Sequence, residues 1–180
     1  SYSNTSIENC TFDDNRAHLG SALANEYGNL FVTDSIFKNN RAGYGAIKGN
    51  EANITVSNSV FENNYAKYGG AAICTENTNL SISSSTFKNN SAKSSGGSIY
   101  AYYSHDILLT NSSFEDDLSN RLGASIYLEE SSIRIAESNF TDANTVFGGA
   151  IAGLNSEIFL NSSLIRNCSA KFYGGAIYND

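Results

Sequence analysis

One glycine recurs along the whole chain, at Gly20, Gly45, Gly70, Gly97, Gly123, Gly149 and Gly175, with steps of 25, 25, 27, 26, 26 and 26 residues. Self-similarity at a fixed period of this size marks a repeat architecture and removes most other folds from consideration.

A second series runs in phase: Phe12, Phe37, Phe61, Phe87, Phe114, Phe140 and then Ile165. Before each lies a pair of apolar residues two apart, such as Leu30 and Val32 or Ile133 and Ile135, set among Ser, Thr and Asn. That is the period-2 pattern of a strand with one buried face. After each repeated glycine comes Leu23, Ile47, Ile73, Ile99, Ile126, Ile151 or Ile177. Each unit thus predicts three short strands: a Gly-Ala-Ile segment, a Leu-x-Val segment and a segment ending in Phe. No stretch carries the i, i+3, i+4 stripe of a helix. A unit this small cannot close its own core, whereas stacked units bury a continuous one. The expected fold is all-β: a parallel β-helix of about seven coils of 25–27 residues over residues 1–180.

Other columns keep the same phase. Ser nearly fills the position two before Phe (Cys10, Ser35, Ser59, Ser85, Ser112, Ser138, Ser163). Asn15, Asn40, Asn64 and Asn90 stand three after it, followed by Asp117, Ala143 and Cys168. Asn suits corners because it tolerates the left-handed region and hydrogen-bonds nearby backbone. One after Phe, the residues are Asp13, Lys38, Glu62, Lys88, Glu115, Thr141 and Arg166, so the sign alternates down most of the column. Neighbouring coils then pair opposite charges, which favours one register.

The chain has no Pro, Trp or Met, starts inside a repeat and shows no atypical capping unit. The expectation is a single segment excised from a longer repeat protein, with flanking coils as its neighbours. No apolar run of membrane-spanning length occurs, so no membrane insertion is expected of this segment. Net charge is −7, and the 11 Lys and Arg are scattered, which argues against nucleic acid. The three cysteines fall in distant register positions, so no internal disulfide is expected. Sequons at Asn53, Asn79, Asn111, Asn139 and Asn161 are candidate glycosylation sites in an exported protein; Asn4, Asn9, Asn89 and Asn167 also carry the pattern.

Phe-x-x-Asn stands at Phe12–Asn15, Phe37–Asn40, Phe61–Asn64 and Phe87–Asn90, and Gly-Gly-Ala-Ile at Gly148–Ile151 and Gly174–Ile177. This pairing resembles the repeats of chlamydial polymorphic membrane proteins and the adhesin-like surface proteins of methanogenic archaea. The resemblance implies a right-handed β-helix exposed at the cell surface and used in attachment to a glycan or a surface protein of another cell or matrix.

Carbohydrate lyases and hydrolases also use parallel β-helices, so fold alone does not exclude an enzyme. Such sites need clustered carboxylates. Asp116 and Asp142 share one column in adjacent coils, where weak Ca²⁺ binding is the most that two carboxylates suggest. No cofactor and no catalytic residue are expected; His18 and His105 stand alone. The stronger candidate is aromatic. Tyr44, Tyr68, Phe147, Phe172 and Tyr173 mark a corner of variable length, beside Tyr65, with Tyr100, Tyr127 and Tyr178 on the next strand. Spaced rings suit stacking on sugars. Ser94 and Ser95 interrupt the stripe, so two patches are expected. The resulting expectation is a non-enzymatic adhesin or stalk segment. A polysaccharide lyase or hydrolase and a pure spacer are the alternatives.

Overall fold

The computed structural model describes residues 3–180. It contains 28 strands in four seven-stranded sheets, and every pairing is parallel. Each sheet takes one strand from every coil, in coil order. The chain is a β-solenoid of seven coils with four faces. The first face begins with Asn4–Glu8, the second with Thr11–Asp13, the third with Arg16–Leu19 and the fourth with Leu23–Glu26.

The expected three strands per coil are therefore corrected to four. The extra strand lies between Phe and the corner glycine, in the segment expected to be a variable corner. It contributes one small residue per coil, in the column Ala17, Ala42, Ala66, Ala92, Ser119, Thr145 and Ala170, of which those from Ala42 to Thr145 are buried. A single small inward residue leaves no alternating apolar signal.

The corners are built from left-handed residues, one per turn of direction. Between the first and second faces stand Asn9, Asp34, Asn58, Ser84, Asn111, Glu137 and Ser162, all with φ between 47° and 52°. Asp14, Asn39, Asn63, Asn89, Asp116, Asp142 and Asn167 turn the next corner. The third corner is glycine throughout: Gly20, Gly45, Gly70, Gly96, Gly123, Gly148 and Gly174. Here a Cβ on Gly20 would collide with the Leu23 carbonyl oxygen, so not even Asn fits. This corrects the glycine column in three coils. Gly97, Gly149 and Gly175 each follow the true corner residue, in the slot held elsewhere by Ser21, Ala46, Ala71 and Ala124.

Inside, Phe12, Phe37, Phe61, Phe87, Phe114 and Phe140 form one stack, with centroids 4.5–4.9 Å apart and planes within 11° of parallel. Each such contact contributes about 0.5–1.5 kcal/mol beyond the area it buries. Leu30, Ile54, Leu80, Ile107 and Ile133, with Val32, Val56, Ile82, Leu109 and Ile135, close the core from the first face.

Polar columns satisfy backbone that the corners expose. The Ser35 amide donates to Ser59 Oγ (3.2 Å), Ser59 to Ser85 and Ser85 to Ser112, while each hydroxyl donates to its own i−2 carbonyl at 2.8 Å. A second column of this kind, Thr78, Ser104, Ser131 and Ser156, runs past the fourth corner. From Asn40 to Asn90 the Asn column is buried. The Asn40 amide donates to Asn64 Oδ1 (3.0 Å), and Asn64 Nδ2 reaches back to the Phe37 carbonyl (2.9 Å). Asp117 continues it, accepting from the Asn90 amide (3.0 Å) and the Ser98 hydroxyl (2.7 Å). Burial pushes its carboxyl up to about 7. In the charge column, Lys38 meets Asp13 at 3.5 Å and Lys88 meets Glu115 at 3.1 Å.

Candidate binding groove

The third corner sets the ends of the third-face strands beside the outward side chains of the fourth face. Register gives the strand-end column as Leu19, Tyr44, Gly69 and Ser95, then Leu122, Phe147 and Tyr173. The fourth-face column reads Ala24, Lys48, Cys74, Tyr100, Tyr127, Ala152 and Tyr178. Bulk is missing from the first column only where Gly69 and Ser95 stand, and the surface opens there.

The opening is a notch of about 280 Å³ lined by Tyr44, Tyr68, Ser94, Ser95, Tyr100, Arg121, Leu122, Tyr127, Glu129 and Leu154. A second hollow of about 290 Å³ shares Tyr44 and Tyr100 and adds Leu19, Lys48, Cys74, Thr75, Glu76 and Tyr102. Together they form one groove across the middle coils. Tyr44 lies 5.0 Å from Tyr68 and 6.5 Å from Tyr100, and Tyr100 lies 5.1 Å from Tyr127.

Glu129 ties the floor together, accepting from the Tyr100 hydroxyl at 2.7 Å and the Tyr127 hydroxyl at 3.4 Å. Burial raises both phenols, Tyr127 up to about 12, with the Glu129 charge adding to the effect. Both remain hydrogen-bond donors at neutral pH. Lys48 pairs with Glu76 at 3.4 Å and points Nζ at Cys74 Sγ, 3.8 Å away. Burial pushes the Cys74 thiol up to about 11 against the pull of Lys48, so it is a neutral thiol.

The second aromatic patch gathers Phe147, Phe172, Tyr173 and Tyr178. Phe147 is 5.5 Å from Phe172, 5.9 Å from Tyr173 and 5.7 Å from Tyr178. Lys171 covers Phe172. The structure therefore joins Tyr44 and Tyr68 in the groove and places Phe147, Phe172 and Tyr173 near the last coil. Tyr65 stands apart, at the start of its third-face strand.

Asp116 and Asp142 are both exposed at left-handed corners of adjacent coils. Among the described residues, no group of three or more His, Cys, Asp or Glu is arranged to hold a metal. The fourth corner holds a depression of about 610 Å³ with His105, Glu130 and Glu157 on its wall. Asn53, Asn79, Asn111, Asn139 and Asn161 are all exposed. Asn53 and Asn79 belong to an external stack: Asn79 Nδ2 donates to Asn53 Oδ1 and Asn53 Nδ2 to Asn29 Oδ1, both at 2.9 Å. Cys10, Cys74 and Cys168 are free.

Arg121, Glu129 and Lys48 were missed as site residues. Their one signal in the sequence was the break at Ser94 and Ser95, which reads as an interruption of a stripe and is in fact the mouth of the notch.

Fold and groove together define a parallel β-solenoid repeat protein. Two of its segments, residues 58–76 and 84–102, match the Chlamydia polymorphic membrane protein repeat. Each match starts just before the second-face strand and ends on the fourth-face strand of the same coil, and together the two matches supply Tyr68, Ser94, Ser95 and Tyr100. No curated protein and no solved structure matches the chain.

Proposed function

We propose that this chain is a non-enzymatic cell-surface adhesin segment that presents the groove between its third and fourth faces to a glycan or surface protein of another cell or matrix. The observation that carries this reading is the notch at Gly69 and Ser95, which leaves the Tyr100 and Tyr127 rings as a floor between Tyr68 and Arg121. Rigid rings with hydroxyls already oriented lose little freedom on binding, which makes them good anchors. The polymorphic membrane protein repeats support a surface location, and a right-handed coil sense accords with the near-universal hand of parallel crossovers.

The end face of the seventh coil, with Leu164 exposed and Ile158, Ile165 and Ile177 half-buried, suits a further coil of the same kind as its neighbour. Weak Ca²⁺ at Asp116 and Asp142 remains a secondary proposal, read by a calcium-dependent rise in melting temperature.

The experiment is a glycan and cell-surface binding screen of the purified chain beside a Tyr44→Ser/Tyr68→Ser variant. Binding lost in the variant supports the groove. Binding by neither protein removes the adhesin reading and leaves a spacer. Depolymerisation of a polysaccharide, abolished by Asp116→Ala or Asp142→Ala, would establish the enzyme reading instead.

A further inference from the structure

We propose that the notch selects glycans bearing a carboxylate, and that Arg121 is the residue that reads it; the inference rests on the groove being the binding face.

The charges lining the groove are accounted for one by one. Lys48 is paired with Glu76. Glu129 accepts from two phenols and keeps lone pairs to spare, since a carboxylate offers about four acceptor sites. Arg121 differs. It is exposed on the wall of the notch, and among the described residues its side chain makes no ion pair and no hydrogen bond. It lines the same notch as Tyr100, Tyr127 and Glu129. A guanidinium is a planar fork of five donors that matches a carboxylate with two parallel bonds.

The remaining features fit a sugar rather than a peptide. Tyr100 and Tyr127 stack on each other 5.1 Å apart and close the bottom of the notch, the exposed Tyr68 ring beside them is free to meet a sugar, and Glu129 offers acceptors for sugar hydroxyls. A peptide that adds as a further strand would need a free edge. In these coils the fourth-face strands Ile99–Tyr102 and Ile126–Glu129 are paired on both sides. The surrounding charge sets the upper limit on the ligand's charge. A chain of net charge −7 repels densely sulfated or phosphorylated polymers, so one carboxylate at Arg121, with neutral sugar over the tyrosines, is the arrangement that fits.

The test uses the purified chain against glycans ending in uronic or sialic acid, each beside its carboxyl-reduced neutral counterpart. The proteins are wild type, Arg121→Gln and Tyr44→Ser/Tyr68→Ser, with melting curves confirming that each folds. At least one acidic glycan should bind about tenfold tighter than its reduced form, equivalent to about 1.4 kcal/mol. Arg121→Gln should bring the two level, and the tyrosine variant should weaken both. Equal binding of acidic and reduced forms, or a preference unchanged in Arg121→Gln, overturns the carboxylate inference and leaves the adhesin reading intact if the tyrosine variant still loses binding. No binding to any of these glycans overturns the carboxylate inference alone, whereas the adhesin reading falls only if the cell-surface screen is also negative or its binding is indifferent to the tyrosine variant.

Discussion

The Tyr100 ring lies over Gly69 so closely that a Cβ on that glycine would stand 2.8 Å from Tyr100 Cδ1 and 2.7 Å from the Ser95 carbonyl oxygen. The floor of the notch is therefore seated on bare backbone. Gly69→Ala should displace the ring and push the Ser95 strand, costing about 1–3 kcal/mol of stability. Urea unfolding checks the cost. A variant as stable as wild type would show that the seat is looser than this geometry.

Asp117 makes the chain's stability depend on pH. Its folded pKa, about 7, lies above the ordinary 3.8, so the folded state holds the proton more tightly than the unfolded chain. Stability is full below about pH 4 and is lost as pH rises through about 7. Asp117→Asn restores the residue that the column uses elsewhere and removes that loss. At pH 8 the variant should be more stable by on the order of 4 kcal/mol, with the gap shrinking towards pH 4. A gap independent of pH would rule out a titrating carboxyl at this position.

The Asn64 side chain holds four groups at once: the Asn40 amide, the Asn40 side chain, the Phe37 carbonyl and Asn90 Oδ1. Asn64→Ala leaves these buried groups without their partner and opens a cavity, so a loss of about 2–4 kcal/mol is expected. Thermal melts of Asn64→Ala beside Asn15→Ala, whose side chain lies at the partly exposed end of the same column, measure the contrast. Equal losses would contradict the role of burial.

The cysteines should separate by reactivity. Cys10 is exposed, while Cys74 is buried with its thiol pushed up to about 11. At pH 8, iodoacetamide should label Cys10 in the folded protein and leave Cys74 unlabelled until denaturant is added. Peptide mass spectrometry reads both sites; equal labelling rates in the folded chain would refute the buried setting of Cys74.

Sequon use should follow side-chain freedom. Asn53 and Asn79 spend their amide groups in the stack with Asn29, whereas among the described residues the Asn139 side chain makes no hydrogen bond. Expressed through a glycosylating secretory pathway, Asn139 should show the higher occupancy by glycopeptide analysis. Higher occupancy at Asn53 would mean that the stack opens readily.

The period, the Phe spine, the Ser and Asn columns and the charge register were legible because each is a side-chain identity repeated at fixed spacing. Two features were not. The third-face strand offers only Ala42, Ala66 and their equivalents to the core, and a strand with one small inward residue has no alternation to read. The corner glycine was ambiguous wherever two stood together. Gly96 takes the left-handed turn and Gly97 does not, and only the position of the Ile99 carbonyl beside Gly96 decides between them. The groove was half legible. Its rings were visible as a stripe, but Arg121 and Glu129 of the fifth coil meet Tyr100 only once register sets the fourth coil beside it.

Among the described residues, every backbone hydrogen bond between coils runs along the solenoid to the adjacent coil. A tether pulled from one end therefore loads a single coil boundary at a time. Peeling one coil of 25 residues, the step from Gly20 to Gly45, releases roughly 85 Å of contour. A cell held through such a segment would give way in discrete steps, each dissipating work while the coils beyond keep their grip.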